Sequence, residues 1–147
     1  VLLDRLVKPQ REVKSYVTEI TGLKEEDFEK VKYTWEDAQR DVAALLTPNT
    51  VLVGHHVSGD MDVLKIDHPL VIDTSLLFRY NSMDSNMSTV QLPLALVALR
   101  DLGYKMRQGT TSHHDSVEDS LIPVRLVQKA LGSDALLPTP IQPLSAI

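Results

Sequence analysis

Residues 50–78, "TVLVGHHVSGDMDVLKIDHPLVIDTSLLF", decide the fold. "TVLVGHH" is β-branched and unbroken until Gly54, the pattern of a strand buried on both faces. "VSGDMDVLKI" then reads as a helix, and "PLVIDTSLLF" as a short strand running straight into another helix. Strand, helix and strand in succession imply a crossover connection, and a crossover joins parallel strands. The class is therefore α/β, a sheet flanked by helices.

On the N-terminal side, "TWEDAQRDVAALL" predicts a helix. Thr34 caps it, Asp37 takes the reciprocal place, and Trp35, Ala38, Val42, Leu45 and Leu46 form one apolar stripe. Pro48-Asn49 ends it. "LKEEDFEKV" predicts a short acidic helix. Residues 1–7 read as an apolar strand closed by Lys8-Pro9, and "REVKSYVTEI" alternates before the turn signal Gly22. On the C-terminal side, residues 79–89 read as a polar, mobile loop. "QLPLALVALRDLGY" predicts a helix closed by Gly103. A last long helix starts near Asp115 and stops at Gly132, and Pro123 inside it predicts a kink or local break. Residues 1–132 then make one domain, and 133–147 a tail carrying Pro138, Pro140 and Pro143.

The totals narrow the function. A chain of 147 residues with 43% hydrophobic and 24% charged residues suits one globular domain. Without cysteine, disulfides and thiolate metal sites are excluded. No apolar run approaches membrane-spanning length, so no membrane partner is expected. The net charge of −5 argues against a protein that coats a duplex. It leaves room for a nucleic-acid enzyme whose carboxylates hold metal ions.

Three clusters carry polar groups suited to chemistry. In open α/β sheets ligands gather outside the carboxyl ends of strands. Asp60 lies about one to two helical turns beyond such an end, whereas Asp62, about 200° further round, faces elsewhere. His55 and His56 fit a structural role, such as satisfying a buried backbone group. Asp73-Thr74 reads as a strand end capping the next helix. The densest cluster is "TSHHDSVEDSLIPVRLV", residues 111–127. Asp115 at the N-cap with Glu118 reaching back makes a capping pair. His114 in the entering loop and Asp119 in the first turn can face one cleft, a base beside a metal ligand. An over-capped, solvated helix start fits the same residues.

Three segments, in order, resemble the DEDDh-type 3′–5′ exonucleases, most nearly the REX-type RNA exonucleases of the ribonuclease H-like superfamily. Residues 52–78 resemble the second exonuclease motif and its continuation. "HHDSVEDS" resembles the third, His-x-x-x-x-Asp, matched by His114 and Asp119. "LLDRLVKPQREVKSYVTEITGLKEEDF" resembles the segment before them. The resemblance spans residues 1 to about 131. It implies a ribonuclease H-like mixed sheet of five strands flanked by helices. Four carboxylates would hold two divalent cations, Mg2+ or Mn2+. Carried across, Asp60 and Asp119 are metal ligands, His114 is the general base, and the three form the catalytic set.

The expected activity is metal-dependent 3′–5′ trimming of single-stranded RNA ends, releasing nucleoside 5′-monophosphates. The alternative is a catalytically degenerate scaffold within a ribonucleoprotein complex. The expected partner is a single-stranded RNA 3′ end, in the nucleus or nucleolus, or else in the cytoplasm or a mitochondrion. The family's Asp-x-Glu motif has no counterpart on a first strand. Asp27-Phe28-Glu29 has the spacing but sits in a helical stretch, so it reads as a decoy. The N-terminal strands are thus expected from an upstream segment or from a protein partner that completes the sheet. Smaller departures are His56 for Ser or Asn, Lys24 for Thr, and Pro123.

Overall fold

A computed structural model of the chain describes residues 1–81, 89–107 and 113–132. The loop expected within 79–89 falls mostly, and the tail 133–147 entirely, outside these residues.

The decisive stretch folds as its pattern requires. β1 (Leu52–Gly54) is followed by α3 (Val57–Leu64), β2 (Val71–Asp73) and α4 (Thr74–Leu77). β1 and β2 are parallel, with Leu52 opposite Val71, Val53 opposite Ile72 and Gly54 opposite Asp73. Both strands therefore end at the same level. β3 (Tyr80–Asn81) and β4 (Thr89–Val90) form a separate antiparallel pair. With the comparison given below, the fold is the mixed, ribonuclease H-like one.

Before the sheet come α1 (Thr18–Thr21), a 3-10 turn at Glu25–Phe28 and α2 (Trp35–Leu45). The expected cap of α2 is present as a full box: the Asp37 N–H donates to Thr34 Oγ1 at 3.2 Å and the Thr34 N–H to Asp37 Oδ2 at 3.0 Å. α2 docks on the end of α3 by donation from Trp35 Nε1 to the Val63 carbonyl and from Gln39 Nε2 to that of Leu64, both at 2.8 Å. Its apolar stripe is only partly covered. Ala38 is buried, while Val42 and Leu45 line an open groove of about 570 Å3 with Leu2, Val117, Leu121 and Val124.

The core lies where α5 (Leu94–Val97) and the π-helical turn Ala98–Leu102 meet α6 (Ser116–Ala130). Val97, Ala98, Met106, Ile122 and Leu126 are buried there, with Phe78, Leu92 and Tyr104 packed around them. α6 also packs on β1, which brings its N-terminal turn towards the sheet's carboxyl edge.

Three expectations need correction. Residues 1–7 and 11–17 form no strand. A strand exists through its ladder, and this stretch joins none: the Lys8 N–H bonds the Tyr33 carbonyl at 2.7 Å, and the Val17 carbonyl serves the turn of α1. Val1 and Leu2 stay 89% and 87% exposed. The acidic helix shrinks to a single 3-10 turn, because Asp27 turns back to accept from the Lys24 N–H at 2.8 Å. The helix expected before Gly103 is present, an α turn continuing as a π turn with Gly103 as its cap, and it seats both Val97 and Ala98 in the core. Pro123 does not break α6. Its ring is fully buried, and that burial offsets the missing N–H bond.

Candidate active site

The carboxyl edge of β1 and β2 is built from turns that only particular residues permit. A Cβ on Gly54 would lie 2.7 Å from Val57 Cβ, so glycine is needed for α3 to start this close to the strand. His56 then adopts a left-handed conformation, φ 59°. Asp73 holds both turns together. Its Oδ1 accepts from the His56 N–H at 3.0 Å and from the Ser75 N–H at 2.9 Å, capping α4. Burial alone would raise the Asp73 carboxyl, but the hydrogen bonds from Ser75 and His56 outweigh it and hold it below its ordinary pKa.

His55 is structural, in line with the bland expectation for this pair. Burial depresses its pKa and keeps it neutral, against the opposing bond to Leu92. One ring proton therefore serves two nitrogens. Nε2 lies 2.9 Å from the Leu92 carbonyl and must donate to it, so Nδ1 accepts from the Thr74 hydroxyl at 3.0 Å. The same hydroxyl lies 2.9 Å from the Gly54 carbonyl, and the two acceptors share its proton. This network ties β1, α4 and the segment before α5.

Asp60 lies on α3 at the surface. Partial desolvation of its carboxyl, then the negative charge of Asp73, raise its pKa. The charge of Asp119 acts on His55, as does that of Asp73. Asp60, Asp73, His55 and Asp119 thus belong to one electrostatic neighbourhood at the strand ends.

The entering loop of α6 supplies the second half. The His114 N–H donates to the Ile20 carbonyl at 2.8 Å, and the His113 ring lies against Gly22, the left-handed cap of α1. Asp115 caps α6 by accepting from the N–H groups of Val117 at 2.8 Å and Glu118 at 3.2 Å. Glu118 does not reach back to Asp115, as the capping pair required. It turns to better donors, the Tyr104 hydroxyl at 2.8 Å and the Arg107 N–H at 3.2 Å.

His114 and Asp119 are brought together as expected: Nδ1 stands 3.0 Å from Asp119 Oδ2. The other oxygen, Asp119 Oδ1, is buried and, among the described residues, has no hydrogen-bond partner. Among the described residues, no three His, Asp or Glu side chains gather as the ligand set of one ion. Asp27 and Glu29 lie exposed on the 3-10 turn and its cap, away from this edge in role as in sequence. Sequence reasoning missed Arg107, whose Nη2 lies 3.0 Å from His114 Nδ1. Nothing in "YKMRQG" singles it out.

Beside Asp73 a cleft of about 370 Å3 opens, walled by Val57, Met61, Val71 and Leu76 and edged by His56 and Gln91.

No family model matches the chain. Individual proteins do. It is 35% identical over 144 residues to "Small RNA degrading nuclease 2" of Arabidopsis thaliana, covering 96% of this chain and 30% of that protein. To human "RNA exonuclease 5" it is 43% identical over 119 residues, covering 81% of this chain and 15% of that protein. The chain thus spans less than a third of these curated relatives. Among solved structures, the Saccharomyces cerevisiae Pan2 pseudoubiquitin hydrolase–RNA exonuclease module in complex with AAGGAA RNA superposes with a TM-score of 0.68 at 25% identity. That match covers 86% of this chain and 20% of that one. Exonucleases of this kind generally use divalent metals. With a backbone that follows the Pan2 module and a sequence that follows named RNA exonucleases over nearly its whole length, the chain belongs to the DEDD-type, RNase T/REX-like exonuclease family.

Proposed function

We propose that the protein is a metal-dependent 3′–5′ exoribonuclease that trims single-stranded RNA ends and releases nucleoside 5′-monophosphates. The observation that carries this reading is the His114–Asp119 pair, 3.0 Å apart, with the second Asp119 oxygen buried and without a partner among the described residues. A buried carboxylate oxygen without a donor is costly unless a cation meets it. Asp60, whose ionisation the neighbouring Asp73 disfavours, is relieved by the same remedy. These two carboxylates offer hard oxygen donors of the kind Mg2+ and Mn2+ take. When bound, such ions neutralise phosphate charge and make a water acidic at neutral pH. An Asp-x-Glu pair like that of the family, which has no counterpart at this edge among the described residues, would complete the set.

The chain's own residues supply the rest. With its Nδ1 proton held by Asp119 Oδ2, His114 presents Nε2 as the acceptor for the proton of the attacking water. The Ile20 carbonyl fixes the His114 backbone, so the ring is oriented before substrate arrives. The cleft beside Asp73 has apolar walls and the depth for a terminal base. A site confined to one RNA end also accords with the net charge of −5.

The test uses the full-length protein and 5′-labelled single-stranded RNA with Mg2+. A ladder shortening from the 3′ end is expected. Asp119→Ala or Asp60→Ala should abolish it, and His114→Ala should slow it by about 10²–10⁴-fold. Full activity in Asp119→Ala would remove the ligand assignment. The lack of a three-residue ion cluster among the described residues favours a second reading, a degenerate scaffold. That reading expects no cleavage from the full-length protein.

A further inference from the structure

Arg107 stands in the left-handed region, φ 59°, a conformation that strains a residue with a side chain. Glu118 holds it there. The Arg107 N–H donates to Glu118 Oε2 at 3.2 Å, while the Tyr104 hydroxyl anchors Oε1 at 2.8 Å. This strained turn delivers the guanidinium to His114, with Nη2 at 3.0 Å from Nδ1. Asp119 Oδ2 stands at the same distance from the same atom.

The two contacts exclude each other. A ring nitrogen carries either a lone pair or a proton. With a lone pair, Nδ1 accepts from Arg107 and has nothing to give Asp119. The single proton of the neutral ring is then on Nε2, which cannot take another. With a proton, Nδ1 donates to Asp119 and repels the Arg107 N–H, and Nε2 is free. So the partner that occupies Nδ1 decides whether His114 can act as a base.

Arg107 is also poorly matched where it sits. A guanidinium has five donors and binds best to paired anionic oxygens. Here it meets one ring nitrogen, and among the described residues its buried Nε has no partner. A phosphodiester supplies the paired oxygens it lacks.

We propose that Arg107 is a substrate-phosphate ligand that gates the base: an RNA phosphate draws the guanidinium off His114 Nδ1, and His114 then passes its proton to Asp119's side and frees Nε2. This rests on the exonuclease reading above. Only the ring proton changes nitrogen, so the charge of His114 is the same in both states.

The test compares the full-length protein with Arg107→Gln and Arg107→Lys in steady-state cleavage of single-stranded RNA. Arg107→Gln should raise KM by about tenfold or more, the loss expected for a charge-assisted contact. It should leave kcat within about threefold. It should also flatten the salt dependence of kcat/KM by roughly 0.7 in log–log slope, one phosphate contact on a single strand. Arg107→Lys should recover part of KM. In nitrogen-15 NMR without divalent metal, His114 Nδ1 should be unprotonated in the free protein and protonated once an oligoribonucleotide is added. In Arg107→Gln it should be protonated from the start. A collapse of kcat at unchanged KM would make Arg107 a mere prop for the loop and overturn the proposal. So would an unmoved KM and salt slope, or a tautomer that RNA does not alter. If the unaltered protein cleaves no RNA, the exonuclease reading itself fails. If it cleaves while Arg107→Gln matches it throughout, only the role of Arg107 fails.

Discussion

Gly22 lies far from the helix that carries Asp119 in sequence, yet Gly22→Ala should disable the base. At φ 71° an alanine pays the left-handed strain, about 1–2 kcal/mol. Its Cβ would also lie 2.8 Å from His113 Nδ1, 3.0 Å from Cγ and 3.3 Å from Cβ. The last of these atoms has no rotamer freedom of its own, so the His113 backbone must give way. The next residue is His114, whose N–H is held 2.8 Å from the Ile20 carbonyl. A displacement of a few tenths of an ångström therefore passes straight to the ring of the proposed base. Misplacement by about 1 Å can cost about a hundredfold in rate, so a fall in kcat of roughly tenfold or more is expected. Gly103→Ala is the control. It has nearly the same φ, 64°, and nothing within 4 Å of the added atom. Both variants should lose about 1–2 kcal/mol of stability, read as a Tm lowered by roughly 3–6 °C. Only Gly22→Ala should lose turnover on single-stranded RNA. Equal kcat in the two variants would show that α1 does not position His114.

Two further outcomes follow from the electrostatics and the hydrogen bonds of the edge. Because the folded state raises the Asp60 carboxyl above its unfolded pKa, ionisation of Asp60 destabilises the fold as pH rises through that range, and the penalty vanishes below the unfolded value. Asp60→Asn should therefore raise Tm at neutral pH and match the parent in acid. A Tm gain that persists in acid, measured by calorimetry without divalent metal, would refute this origin. Thr74→Val leaves the part-buried His55 Nδ1 and Gly54 carbonyl without their shared proton, and should cost about 1 kcal/mol in urea unfolding; a loss near zero would mean that this hydroxyl holds nothing together.

What the sequence disclosed was local, and what it concealed was held by distant partners. Residues 50–78 could be read because strand, helix and turn there are each specified by neighbours a few positions away. His114 and Asp119 could be paired because a helix start places a loop residue and a first-turn residue on one side. The N-terminal strands could not be judged from "VLLDRLV", since an apolar run becomes a strand only beside another backbone. Glu118 was misassigned for a related reason. The capping spacing is satisfied, but Tyr104 and the Arg107 N–H arrive from a segment more than ten residues upstream and win the carboxylate. Arg107 carries no local mark because that same carboxylate creates its strained turn.

The carboxylates of the edge sort themselves by what already holds them. Asp73 has one oxygen shared by two backbone N–H groups, and those bonds lower its pKa. Asp115 is occupied in the same manner at the start of α6. Both Glu118 oxygens face the Tyr104–Arg107 turn. Each of these acids is already paired with donors, and a cation would have to compete for it. Asp60 and Asp119 differ. Among the described residues no hydrogen bond reaches the Asp60 carboxylate, and its ionisation is disfavoured. Among those residues Asp119 Oδ1 is likewise buried without a partner, while Oδ2 turns to His114. Carboxylates kept without donors lower the stability of the fold, and a fold keeps such sites where a ligand repays them. The two acids that the third and second exonuclease motifs select are the two that the hydrogen bonds leave uncommitted. Divalent metal should accordingly raise Tm in the parent protein, and should raise it less when either Asp60 or Asp119 is replaced by Asn.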